Sequence, residues 1–341
     1  MPYGGKAAFE EVGIGTVWHA MNHNEMCLGR NIKASKTFKE EAVRILITGG
    51  TGLIGRHLCK ALLTKGHQLT VLSRQPETVS VKCGATVQAM ASLSEWLPDR
   101  VFDAVINLAG EPIVDASWSA QRKQVLRDSR IELTTKLVRC IAVAKQKPSV
   151  LLSGSAVGYY GDGGDTELDE TAPAGKDFSA LLCKDWEEAA LTAEKHGVRV
   201  CLLRTGLVFS KSGGLLGKML LPFKLGLGAR LGSGRQWMSW IHIADYVASV
   251  LSLLNNDQMR GPFNMTAPQP VTNAEFTRTL AKSLHRPAFL FAPEPVLKLA
   301  MGERAALLLE GQRVLPAKLD ATGGQFKYPN LADALDDLLH R

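Results

Sequence analysis

Residues 43–55, VRILITGGTGLIG, constrain this chain more tightly than any other stretch. Ile45, Leu46 and Ile47 form an apolar run suited to a strand buried on both faces, while Leu53, Ile54, Leu58, Leu62 and Leu63 recur at helical spacing just beyond it. Strand, tight turn and helix start therefore follow one another directly. Gly49 can adopt a backbone conformation closed to side chains, Gly52 lets the main chain approach a ligand, and Gly55 lets the helix lie close to the strand. The helix N-terminus offers free N–H groups to an anion, so Gly49, Thr51, Gly52, Leu53, Ile54 and Gly55 are the candidates to hold a dinucleotide pyrophosphate.

Gly66 closes that helix and Gln68 to Leu72 supplies a second strand, completing a βαβ unit. A site preferring NAD usually places an acidic residue next, for the ribose 2′-hydroxyl. Here Ser73 and Arg74 follow, a hydroxyl and a guanidinium that suit a 2′-phosphate, and NADP is expected over NAD. Asp103 to Leu108 reads as another strand, and its end, Leu108, Ala109 and Gly110, is small enough to let a ligand pass. A long helix is expected from about Ser119 to Ala144, with Val125, Leu133, Leu137, Val138 and Ile141 as its buried stripe. Arg127 and Arg130 share one face of it, and Arg130 is the candidate to reach the adenosine end. Pro148 to Ser153 forms the next strand, and hydroxyls cluster at its carboxyl end, where this architecture carries out chemistry.

The expected fold is α/β: a Rossmann-type doubly wound parallel sheet with a smaller mixed α/β C-terminal substrate lobe. The segment 43–210 would bind the cofactor, with the chain re-entering that domain near 237–265, and 211–341 would form the substrate lobe and a helical end. Residues 1–42 show little apolar periodicity and read as a flexible extension. The formal charge of +7 is spread without a dense basic block, which argues against nucleic acid and fits an anionic small ligand. Cys27, Cys59, Cys83, Cys140, Cys183 and Cys201 show no metal-like spacing and read as reduced thiols. No run approaches a membrane span and no secretion signal opens the chain, so a cytoplasmic protein, monomeric or homodimeric, is expected.

Four motifs taken together, TGGTGLIG at 48–55, NLAG at 107–110, SGSAVGYYGD at 153–162 and WIHIADYV at 240–247, resemble an extended, atypical short-chain dehydrogenase/reductase of the nucleotide-sugar epimerase type. The likeness is closest to the YfcH-like epimerase-family proteins, through Ser117–Trp118 and LLPFKLGLGARLGSGRQ at 220–236, and it extends to their C-terminal domain of unknown function. The resemblance implies a serine and a Tyr-x-x-x-Lys pair: serine and tyrosine hold the reacting oxygen, tyrosine moves the proton and lysine lowers its pKa. Ser155 matches that serine, with Ser153 as the alternative. Lys184 matches the lysine, yet Ala180 stands where the tyrosine belongs, and a shifted register offers only Ser179 or Phe178. Tyr159 or Tyr160 would then supply the phenol from the preceding loop.

In the second lobe, Arg235, Gln236 and Trp237 suit a phosphorylated or nucleotide-linked substrate at a pocket mouth. Asp245 reads as the cap of the helix from Tyr246 to Leu254, His242 as a strand residue, and Glu310 to Arg313 as a surface turn, with a reach toward substrate as the alternative. Two functions remain open: an NADP-dependent epimerase or oxidoreductase acting by hydride transfer, and a cofactor-bound sensor or scaffold without turnover.

Overall fold

The computed structural model describes residues 42–323 and 325–340, so the extension expected over 1–42 lies, apart from Ala42, outside the described residues. The apolar runs become strands β1 (Arg44–Thr48), β2 (Gln68–Leu72), β3 (Gln88–Met90), β4 (Ala104–Asn107), β5 (Val150–Ala156), β6 (Arg199–Thr205) and β7 (Gly261–Met265). All pair in parallel, in the order β3-β2-β1-β4-β5-β6-β7. The order reverses between β1 and β4, and that switch point opens a crevice at the carboxyl ends of the strands.

Helices cover both faces, because strands this apolar must be buried on both. On one face lie α1 (Leu53–Thr64) and, from the later sequence, the helix Ile243–Asn255, whose Tyr246, Val250 and Leu253 meet Leu58 and Leu62 in the core. On the other, α2 (Ala120–Arg127), α3 (Leu133–Val143) and α4 (Phe178–Leu191) follow in order, with Leu137, Ile141 and Ala190 packed against Leu46, Val105 and Leu151.

The single helix expected from 119 to 144 is interrupted by a π turn, Asp128–Glu132. Its wider winding changes the register, so Leu126 is fully buried while Val125 is 39% exposed, and the expected stripe fails at its first member. Beyond β6 the chain builds a second core. Leu207–Phe209 pairs in parallel with Trp240–His242, and Trp237–Met238 pairs antiparallel with Val271–Thr272. Around them pack α5 (Gly214–Lys224), α6 (the helix Ile243–Asn255), α7 (Asn273–Ser283) and, after α8 (Glu294–Met301), which buries no residue, α9 (Leu331–His340), with Phe209, Trp240, Phe276 and Leu335 at the centre.

The helix α6 is capped by His242, whose Nδ1 accepts the Ala244 N–H at 3.0 Å. Asp245 does not cap it. Its two carboxylate oxygens accept the N–H groups of Lys327 and Tyr328 at 2.8 and 2.9 Å, tying the C-terminal segment to this helix.

Candidate functional site

The turn after β1 is shaped by contact between two strand ends. Gly49 has φ +71°, and a Cβ there would meet the Leu108 backbone at 2.7 Å; a Cβ on Gly55 would lie 2.4 Å from the Gly49 carbonyl oxygen. Only glycine fits either position. Gly52 begins α1 without any side-chain cap, so the first-turn N–H groups are left for a ligand. A cavity of about 810 Å³ opens at this turn, runs past Leu108, Arg130 and Ser155, and ends among Trp118, Phe178 and Leu307.

Ser155 stands at the end of β5, nearly buried yet lining the cavity. Its Oγ donates to Glu187 Oε1 at 2.6 Å. Arg204 holds both oxygens of that carboxylate through Nε and Nη2, each at 2.9 Å, and its Nη1 donates to the Tyr160 hydroxyl at 3.0 Å. Tyr160 in turn donates to Asn264 Oδ1 at 2.6 Å. Burial pulls the Arg204 pKa down, but the hydrogen bond and charge of Glu187 outweigh it and hold the guanidinium above its ordinary value.

The sequence-expected catalytic residues divide sharply. Ser155 faces the cavity, whereas Ser153 is fully buried and accepts from Asn107 Nδ2 at 3.2 Å. The phenol of Tyr160 turns into the protein, where burial pushes it up to about 12, and Tyr159 lies against the Arg204 guanidinium at 3.6 Å; neither lines the cavity. The 3₁₀ turn Val157–Tyr160 directs both rings beneath the sheet end. Lys184 also falls outside the cavity: its side chain is 52% exposed and pairs with Glu188 at 3.9 Å. One residue of register, about 100° around a helix, separates it from the face that matters. That face carries Ser179, Leu182, Cys183 and Trp186. Ser179 and Cys183, spaced i and i+4, thus share the helix face that lines the cavity. Burial pushes the Cys183 thiol up to about 12, with the Glu187 charge adding to it, so the group is neutral.

Among the cofactor candidates, Arg130 projects from the π turn, stacks 5.4 Å from the Trp186 ring and donates to the Glu111 carbonyl at 2.9 Å. A Cβ on Gly110 would lie 2.9 Å from the guanidinium carbon, so a side chain there would displace the end of Arg130. Arg130 and Ser155 line the same cavity. Arg74 is 89% exposed and its Nη1 pairs with Glu111 Oε1 at 2.5 Å. The Ser73 Oγ accepts the Gln75 N–H at 3.1 Å, and the Ala109 N–H donates to Thr48 Oγ1 at 3.2 Å. Thr51 sits half-buried at the tip of the turn.

Three further lining residues were given other roles by the sequence reading. Tyr246 is buried, with its hydroxyl 3.1 Å from Thr205 Oγ1 and burial pushing it up to about 12; it belongs to the WIHIADYV motif, where His242 drew attention instead. Glu310 and Gln312 come from the presumed surface turn and line the far end. Burial raises the Glu310 carboxyl, and Asp162 and Asp177 add to the shift. Arg235, Gln236 and Trp237 do not line the cavity: Gln236 Nε2 holds the Leu231 and Leu308 carbonyls, and Trp237 Nε1 donates to Asp165.

A doubly wound sheet with an uncapped glycine turn at its switch point and a hydroxyl at the end of β5 defines an extended short-chain dehydrogenase/reductase of the Rossmann class. Residues 45–265 match the NAD dependent epimerase/dehydratase family, to which the chain belongs, and residues 292–338 match a domain of unknown function, DUF1731. An epimerase family protein of Staphylococcus epidermidis is 41% identical over 300 residues, covering 87% of this chain and 99% of the relative. The human epimerase family protein SDR39U1, solved with NADPH, superposes with a TM-score of 0.79 at 36% identity, covering 86% of this chain and 98% of that one. A nucleoside-diphosphate sugar epimerase from Corynebacterium glutamicum gives 0.69 at 31% identity, covering 88% of this chain and 58% of that one.

Proposed function

We propose that the protein is an NADP(H)-dependent oxidoreductase of the epimerase type, moving hydride at an alcohol or carbonyl carbon of a small molecule. The carrying observation is that one cavity joins the uncapped first turn of α1 to the Ser155–Glu187 pair. Residues 43–210, with β7, would hold the cofactor, and 211–341 would close over the substrate.

The residues present fit the cofactor. The α1 turn offers N–H groups to a pyrophosphate, and Arg74, already engaged with the Glu111 carboxylate, would exchange that anion for a 2′-phosphate. The human relative solved with NADPH supports the same preference. Bound there, the nicotinamide would supply or accept the hydride.

Ser155 donates its own proton to Glu187, so its oxygen faces the cavity as an acceptor for a substrate hydroxyl. In oxidation, the substrate proton passes to Ser155 Oγ while the serine proton shifts to Glu187 Oε1; reduction reverses both transfers. Arg204 fixes the Glu187 carboxylate in place for that transfer, with Nε 2.9 Å from Oε1.

Ser155→Ala should lower turnover by about 10² to 10⁴-fold with NADPH affinity unchanged. Full activity in that variant, and loss in Tyr246→Phe, would transfer the role to the phenol at the cavity floor. A second reading, a cofactor-bound protein without turnover, is favoured by α4, which carries no tyrosine and turns Ser179 and Cys183, not Lys184, to the cavity. Retention of NADPH with no redox change across a panel of alcohols, ketones and sugars would select it.

A further inference from the structure

We infer that the substrate is an uncharged, predominantly apolar alcohol or carbonyl compound, and not a sugar carried on a nucleoside diphosphate. This rests on the hydride-transfer reading above and specifies its substrate.

Ile113, Trp118, Phe178, Leu182, Leu215 and Leu307 line the cavity, with Trp118 and Phe178 marking its end at the start of α4. Trp118 packs edge-on against Phe178 with centroids 5.1 Å apart, and its only donor, Nε1, is spent on the Ile113 carbonyl at 2.9 Å. Both rings therefore offer the cavity hydrocarbon and no polar handle. Such a wall gains free energy by covering apolar surface, roughly 25 cal/mol per Å² removed from water, and leaves a sugar's hydroxyls without partners.

A diphosphate would meet the opposite of what it requires. Anion sites are made by arginine, lysine or an open helix N-terminus. The helix that reaches this end, α4, has its N-terminus already filled: Asp177 Oδ1 accepts the Ser179 and Ala180 N–H groups at 2.7 and 3.1 Å. Asp177, Glu303 and Glu310 all line the same end. Among the described residues that line the cavity, Arg130 is the only cation, and its guanidinium is committed to the Glu111 and Leu126 carbonyls. Nearby cations are likewise engaged: Lys123 pairs with Glu303, Arg304 donates to the Val114 carbonyl at 2.9 Å, and Arg122 to the Pro112 carbonyl at 2.6 Å. A phosphate entering here would face carboxylates with no free partner, which is selection by repulsion as well as by fit.

The test uses the full chain, with and without NADPH, and four probes: benzylacetone, cyclohexanone, UDP and UDP-glucose. Binding is read by calorimetry and turnover by NADPH absorbance. At least one ketone should bind, more tightly in the presence of NADPH, while UDP and UDP-glucose give no heat at millimolar concentration. Leu307→Asp should weaken ketone binding about tenfold or more without changing NADPH affinity, and Phe178→Ala provides the same readout if that variant fails to fold. Binding of UDP or UDP-glucose at least as tight as that of either ketone, or no ketone binding at all, overturns the inference. Failure of the protein to bind NADPH, with ketone binding intact, would instead sink the cofactor reading and leave the substrate class standing.

Discussion

Arg204 is 4% exposed, and each of its terminal nitrogens has a partner: Nε and Nη2 on Glu187, Nη1 on Tyr160 and the Glu170 carbonyl. Such an ion pair adds little net stability, but breaking it strands a charge. Glu187→Ala should therefore destabilise the fold by about 3–5 kcal/mol, read as a fall in denaturant midpoint. Tyr160→Phe removes one hydroxyl from the same network and should cost about 1–3 kcal/mol while leaving NADPH affinity and turnover intact. A Tyr160→Phe protein of normal stability but much reduced turnover would return that phenol to the chemistry. The position of Ser155 was legible through its motif, SGSAVGYYGD, and not through periodicity, which ended at Ser153 a strand that runs on to Ala156. The tyrosines were not, because the direction of a ring leaving a 3₁₀ turn depends on what it meets, here Arg204 and Asn264, far away in the chain.

At the level of elements, the glycine turn was readable from its spacing between strand and helix; Gly55 answers contacts within the βαβ unit, whereas Gly49 answers the Leu108 backbone at the end of β4. A Cβ on Gly55 would lie 2.4 Å from the Gly49 oxygen and 2.5 Å from the Gly50 Cα, both backbone atoms that cannot rotate aside. Gly55→Ala should push α1 away from β1 and weaken NADPH binding at least tenfold by calorimetry; unchanged affinity would show that the helix shifts freely. Helix registers were harder to read. The π turn Asp128–Glu132 exchanges Val125 for Leu126 at the core, and nothing in the apolar spacing announces a wider turn. The face of α4 could not be fixed either, because Lys184 invites a match by residue type while the neighbouring Cys183 is the one that points inward. Both failures share a cause: a helix's phase is set by what packs on it.

Over the whole molecule, two buried histidines set the pH response. Burial lowers the pKa of His67 and His242 below the ordinary 6.5, at His242 against the opposing pull of Asp337 and Asp245. The unfolded chain therefore takes up protons that the folded one refuses as pH falls through about 6.5, so stability is present above that pH and lost below it. A melting series should be flat near neutrality and fall on the acid side, and His242→Asn, which retains a helix cap, should soften the fall. The same scale governs how the C-terminal segment is held. Arg313–Val314 pairs with Glu167–Leu168, Ser239 Oγ donates to the Gln312 carbonyl at 2.6 Å, and α9 supplies Leu331, Ala334, Leu335 and Leu338 to the second core. During synthesis this segment follows the rest of the second core out of the ribosome. Phe209, Trp240 and Phe276 must then wait uncovered until α9 emerges, so the nascent chain exposes this apolar surface over the interval in which all seven strands of the sheet are already made.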